Sequence, residues 1–262
     1  MHLMPSLWRE SSPDVLARLG GVAVIAFVLW STWRSYKRTP PLLRGIREGR
    51  VPRVVGYRRF FRNQAVRCAA VGLAIILIRP SAAAVGFGNA TSSKSLTTTA
   101  HALLNGLVAV ELCIAVVVQG MLVHRGRLRR LLRPVAPLIP SNAHERAYWL
   151  GLSLGAGISE EFLYRGVLPV ALTAVVPGIG PGSSLILASL LFGVAHLYQG
   201  WIGVIGTTVA GFLFGLVVVA AGNLWLAVLI HAAFDARICL FPASAAAPSS
   251  TTDRPLPEPG TP

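Results

Sequence analysis

"AYWLGLSLGAGISEEFLYRGVLPVALTAV", residues 147–175, is long and apolar enough to cross a bilayer, which takes about 20 residues, yet it holds Glu160, Glu161 and Arg165 in its middle. A charged side chain at the centre of a membrane helix costs roughly 2.5–3.5 kcal/mol on insertion scales. Three charges in one such run must therefore face one another or an aqueous cavity, and intramembrane charges with identifiable partners mark functional sites.

The rest of the chain agrees with a membrane setting. Of its 262 residues, 53% are hydrophobic and only 13% charged, against roughly a quarter charged in soluble domains, and the mean hydropathy is +0.61. Apolar stretches recur near 15–33, 66–88, 100–123, 147–175, 181–198, 200–221 and 223–241. The expected fold is all-α, a polytopic transmembrane bundle of about seven spans (roughly six to eight).

The formal charge of +14 lies mostly in two stretches between spans: Arg34 to Arg62, with Glu48 as the one acid, and Arg125 to Arg133. Basic loops beside spans mark the cytoplasmic side, whereas "GNATSSKSLTTTAH", with Lys94 alone charged, suits an outer loop. This placement puts the amino terminus outside. It also makes nucleic acid a poor partner and anionic lipid a better one for "VVGYRRFFR", residues 54–62.

No small-residue cleavage site follows the first span, so it reads as an uncleaved anchor. Cys68, Cys113 and Cys239 form no CxxC pair and read as small buried hydrophobes. The expected organisation is a membrane scaffold over 1–140, a catalytic core over 141–241 and a Pro-, Ser- and Thr-rich disordered tail over 242–262. The Arg- and Ala-rich composition suits a GC-rich bacterial genome, which argues against prenylated substrates, and the expected location is a bacterial plasma membrane crossed several times.

Within the core, Glu161 and Arg165, Phe192 and His196, and His231 and Asp235 are each four residues apart. Such pairs share one face of a helix. Glu161 has Arg165 one turn on, acid before base, which holds its carboxylate in place. Glu160 has Tyr164 one turn on and no cation, so it reads as the freer carboxylate, suited by partial burial to act as a general base. Asp235 stands beside Arg237, where a helix-end ion pair is the plain alternative. Gly151 with Gly155, and Gly211 with Gly215, read as close-packing pairs.

Glu160-Glu161-Phe-Leu-Tyr-Arg165, Phe192-Gly-Val-Ala-His196 and His231-Ala-Ala-Phe-Asp235 resemble, in order, the EExxxR, FxxxH and HxxxN/D motifs of the CPBP family. That family comprises the CAAX prenyl proteases and bacteriocin-processing proteins and is also called Abi. The resemblance covers about residues 145–241. It implies an intramembrane glutamic endopeptidase with its site in a cavity between the C-terminal helices.

By position, Glu160 would activate the attacking water, with His196 assisting. His231 and Asp235 would stabilise the oxyanion, and Glu161 and Arg165 would hold the first motif's helix. Tyr164 and Phe192 would contact substrate. The implied partners are the bilayer and a membrane-associated peptide or protein. Eukaryotic prenyl-processing members resemble Asn at the last position, where ionised Asp235 cannot donate a hydrogen bond.

The resemblance implies no required cofactor. Glu160, His196 and His231 would be the ligands if zinc were bound, although the spacing is not HExxH. Two rival classes stand beside the peptidase. One is a non-catalytic binding, immunity or regulatory protein on the same fold. The other is a proton-coupled transporter, disfavoured because the first three spans offer little beyond Arg79, His101 and Glu111.

Overall fold

In a computed structural model of the protein, which describes residues 15–79, 106 and 134–240, every regular element is a helix. Apart from Gly106, the expected third span lies outside the described residues, with His101, Glu111 and Cys113. So do the loop holding Lys94, the basic stretch Arg125 to Arg133 and the expected tail.

Helix α1, Val15–Arg47, has 33 residues, about 50 Å at a rise of ~1.5 Å per residue, against a hydrocarbon core of ~30 Å. Its apolar half can span, and its surplus carries Lys37, Arg38, Arg44 and Arg47. Helix α2, Arg53–Ile78, follows after a turn in which Gly49 adopts a φ of 72°. The stretch 34–62, expected as a loop, is thus mostly helix. Basic residues exclude a segment from hydrocarbon without breaking its backbone hydrogen bonds, so charge alone misplaced the helix ends.

Helix α3, Ala143–Glu161, starts under local control. Asn142 accepts the backbone N–H of Glu145, and the Glu145 carboxylate accepts from the N–H and hydroxyl of Ser141. That arrangement satisfies donors a helix start would leave open. Arg53 bridges this start to α2 through Pro137 O, Ser141 Oγ and Glu145 Oε2. Tyr57 donates to Leu138 O.

The chain continues from α3 through a π-helical turn, Phe162–Val167, into α4, Leu168–Val175. Then come α5 (Pro181–Ala195), α6 (Trp201–Ala221) and α7 (Trp225–Ala236). Helix α3 packs between α2 and α7, α4 lies on α1, and α5 pairs with α6. The shared core draws Val28 from α1, Ala74 from α2, Leu168 from α4, Leu185 from α5, Val217 from α6 and Ala227 from α7.

Among the described residues three helices, α1, α2 and α6, are long and apolar enough to cross a membrane. Their most apolar windows are only 28%, 22% and 39% buried. Leu19, Ile76, Trp201, Ile202 and Ile205 all point outward. An apolar exterior of this extent suits lipid. Cys68 belongs to that exterior and Cys239 is half-buried, so neither is the buried hydrophobe expected.

The glycine pairs do bring helices together. A Cβ on Gly155 would stand 2.3 Å from Gln64 Oε1 of α2, and one on Gly215 would stand 2.3 Å from Leu185 Cδ1 of α5. Gln64 also donates to Leu152 O, tying α2 to α3 where the two backbones approach.

Candidate active site

The first motif crosses the junction between α3 and the π turn, a distortion that recurs at functional sites. Here it turns Arg165 back onto Glu161, Nη1 donating to Oε1 at 2.9 Å, with both side chains buried. The same carboxylate oxygen accepts Nδ1–H of His231 from α7 at 2.7 Å. Arg165 Nε donates to Gly211 O at 3.3 Å, and its guanidinium lies over the rings of Phe192 and Phe214. Glu161 therefore does more than steady its own helix. It joins the buried cation to the histidine of the third motif.

With Nδ1 engaged, His231 turns Nε2 toward Glu160 Oε2 at 3.9 Å and Asp235 Oδ2 at 3.7 Å. His196 does the same from the end of α5. Its Nδ1–H is directed at Phe192 O at 2.8 Å, a carbonyl that can only accept, which leaves Nε2 4.0 Å from Glu160 Oε2. In their neutral forms both histidines thus present unprotonated Nε2 atoms to one carboxylate oxygen.

The other oxygen of Glu160 is taken. Arg67 of α2 donates from Nη1 to Glu160 Oε1, forming an ion pair. Glu160 is therefore not the cation-free carboxylate that its own helix suggested. Arg67 was also missing from the expected polar residues of the early spans. No motif spacing could reveal it, since the two partners are 93 positions apart. The available signal was a charge just inside an apolar run.

Asp235 does not close a helix-end pair with Arg237. Arg237 Nη1 donates to Phe234 O, and Asp235 turns toward His231. Tyr164 and Phe192 are both buried and meet edge to face at 5.0 Å. Phe192 also packs against His196, His231 and the Arg165 guanidinium. It packs between side chains of the three motifs and lines the cavity. Gly211 lies in this machinery too: a Cβ there would stand 2.9 Å from Arg165 Nη2 and 3.0 Å from Phe192 Cδ1.

The conditional zinc set fits poorly. Ligands around tetrahedral zinc at ~2.0–2.1 Å lie about 3.4 Å apart, whereas the Glu160 to histidine separations are 3.9 and 4.0 Å. The Arg67 charge would also stand beside the metal. Among the described residues no group of three or more His, Cys, Asp and Glu is arranged to hold a metal ion.

The motifs open onto a cavity of about 620 Å³, within the range of ~300–1,000 Å³ common for ligand sites. Trp30, Arg67, Glu160, Phe192, His196 and His231 are among the residues lining it. Helices α1 and α2 thus help to form the chamber, which extends beyond the C-terminal helices where it was expected. No curated protein and no solved structure matches the chain. Residues 142–237 match the family described as Rce1-like, type II CAAX prenyl endopeptidase Rce1-like.

Proposed function

We propose that the protein is an intramembrane endopeptidase in which Glu160 activates water against a peptide bond of a membrane-associated substrate. The observation that carries this reading is the convergence of His196 Nε2 and His231 Nε2 on Glu160 Oε2 at 4.0 and 3.9 Å. Groups about 4 Å apart can share one water at hydrogen-bond distance from each. A water donating to Glu160 and to one histidine keeps a lone pair for attack.

In the reaction, the water proton passes to Glu160 Oε2 as its oxygen bonds to the scissile carbonyl carbon. The negative charge moves to the carbonyl oxygen, where donors held in a shielded site are worth most. Arg67 is the nearby fixed donor, and His231 can serve when protonated. Collapse of the tetrahedral intermediate breaks the C–N bond, and Glu160 returns its proton to the leaving amine. Glu161 fixes the ring of His231 throughout, as an orienting carboxylate does in other hydrolytic sites.

The Arg67 charge and the ligand spacing favour a glutamate-activated water over a metal-bound one. The expected location is a cell membrane crossed several times, with bilayer and peptide as partners. The test is cleavage of a membrane-peptide library by the purified protein in nanodiscs, with Glu160→Gln alongside and chelator in a parallel arm. Cleavage lost in the variant and kept with chelator supports the reading. An inert wild type, or equal cleavage by folded Glu160→Gln, would move the protein to the non-catalytic binders, and chelator loss restored by zinc would replace the mechanism.

A further inference from the structure

The groups described so far leave the oxyanion short of a neutral donor. Arg67 already holds Glu160 Oε1, and neutral His231 turns an unprotonated Nε2 toward the chamber. An oxyanion formed beside them is stabilised best by fixed hydrogen-bond donors in a shielded site.

Most hydroxyl and indole donors of the chamber are already spent. Ser31, Ser153, Thr207 and Trp149 line the cavity but donate to backbone carbonyls, and the Tyr164 hydroxyl is engaged with Thr32. Tyr198 differs. It lines the same cavity, and its phenol oxygen accepts Nε2–H of Gln199 at 3.1 Å. A phenol has one O–H to donate as well as lone pairs to accept with. Here the accepting side is engaged, and among the described residues no group takes the O–H.

The chain around Tyr198 fixes its position. Past α5 the backbone closes a 3₁₀ turn, Leu197–Gln199, in which the Gln199 N–H donates to His196 O at 2.8 Å. The turn brings the phenol ring to 5.9 Å from the His196 ring, and the phenol packs on the cluster of Leu43, Tyr57, Leu138 and Leu152. Gln199 rests against α6, where a Cβ on Gly203 would stand 2.4 Å from its own Cβ. The phenol also lies within electrostatic reach of Glu160, Asp235 and Arg67. A donor held in this way needs no reorganisation as charge develops, and the bond from Gln199 polarises the phenol toward a stronger donation.

Resting on the endopeptidase reading, we propose that Tyr198 is a further catalytic residue, its phenol O–H donating a hydrogen bond to the oxyanion, with Gln199 as its positioning residue. As the water oxygen bonds to the scissile carbon, the carbonyl electron pair moves to oxygen, and Tyr198 hydrogen-bonds that oxygen without giving up its proton. When the intermediate collapses the pair returns to re-form C=O, the C–N bond breaks, and the amine takes its proton from Glu160.

The test uses membrane peptides in nanodiscs, each alongside a copy with a tetrahedral, anionic phosphinate in place of one peptide bond. Tyr198→Phe keeps the ring and removes only the hydroxyl. It should lower kcat by about 10²-fold with KM little changed, and weaken phosphinate binding by a similar factor while the unmodified peptide binds as before. Gln199→Leu should lower kcat by about tenfold and add nothing further in the Tyr198→Phe background. An unchanged kcat in Tyr198→Phe, a rise in KM alone, or equal loss of phosphinate and peptide binding overturns the proposal. Additive losses in the double variant remove Gln199 from its role.

Should Tyr198→Phe misfold, 3,5-difluorotyrosine at position 198 keeps the ring and makes the phenol more acidic. Activity should then fall at alkaline pH where the wild type still cleaves, and identical pH profiles overturn the donor. Cleavage by the wild type with phosphinate binding intact in Tyr198→Phe would sink the donor and leave the endopeptidase. A wild type that never cleaves, yet binds phosphinate through the Tyr198 hydroxyl, would do the reverse.

Discussion

Arg67 on α2 and Glu160 on α3, 93 positions apart in the chain, form one ion pair in the cavity wall. The pair decides which oxygen of Glu160 is available: Oε1 is held, and Oε2 faces the two histidines. A general base must be positioned before its basicity matters. By this geometry Arg67, the donor proposed above for the oxyanion, also positions the proposed base, and it comes from the half of the chain that carries none of the motifs.

Replacing Arg67 with glutamine should lower kcat by about 10²-fold and change KM little, since a group acting on the reaction step alone leaves ground-state binding in place. Lysine should recover part of the loss: it restores the charge but not the planar fork. Steady-state kinetics on a cleaved library peptide read the split. A rise in KM with unchanged kcat would make Arg67 a substrate-binding group instead.

Gly211 should tolerate no side chain. A methyl group there meets Arg165 Nη2 at 2.9 Å and Phe192 Cδ1 at 3.0 Å, groups fixed by Glu161 and by aromatic packing. Overpacking of this kind costs about 1–3 kcal/mol. On the same helix Gly206 has nothing within 4 Å of its position, so Gly206→Ala should be neutral or gain up to about 1 kcal/mol from helix propensity. Thermal unfolding of both variants in detergent makes the comparison.

Acid should loosen the start of α3. Burial raises the pKa of Glu145, but the Ser141 N–H and hydroxyl and the Arg53 guanidinium outweigh it and hold the carboxyl below its ordinary value of 4.5. A depressed carboxyl contributes stability above its unfolded pKa and loses it as pH falls through the folded one. The wild type should therefore lose more thermal stability between pH 6 and pH 3 than Glu145→Gln does. Parallel losses would remove Glu145 from the acid response.

The three motif pairs were legible because their residues lie one turn apart, a distance that sequence spacing encodes directly. His231 and Glu161 were both identified, but not their contact, because α3 meets α7 through tertiary packing that leaves no mark on spacing. Arg67 was hidden by its company. It follows a run of arginines whose density reads as a membrane flank, and only the path of α2 beside α3 shows that its side chain turns inward. The extents of α1 and α2 were misread for a related reason, since hydropathy reports where a helix leaves lipid and not where it ends.

The link from Arg165 through Glu161 to His231 can be separated into its structural and chemical parts. Removing the acid with Glu161→Leu strands a buried guanidinium, and breaking a buried pair on one side costs about 3–5 kcal/mol. Adding Arg165→Met removes the stranded charge, and replacement of both partners by apolar groups is often close to neutral. The double variant should therefore recover most of the lost thermal stability. It should not recover activity, because His231 Nδ1 then has no carboxylate to fix its tautomer, a defect that can cost about 10⁴-fold in a comparable site. A stable, inactive double variant shows that Glu161 orients the histidine. If instead it cleaves peptide at near the wild-type rate, Glu161 serves only to neutralise Arg165, and the orientation of His231 must come from Asp235.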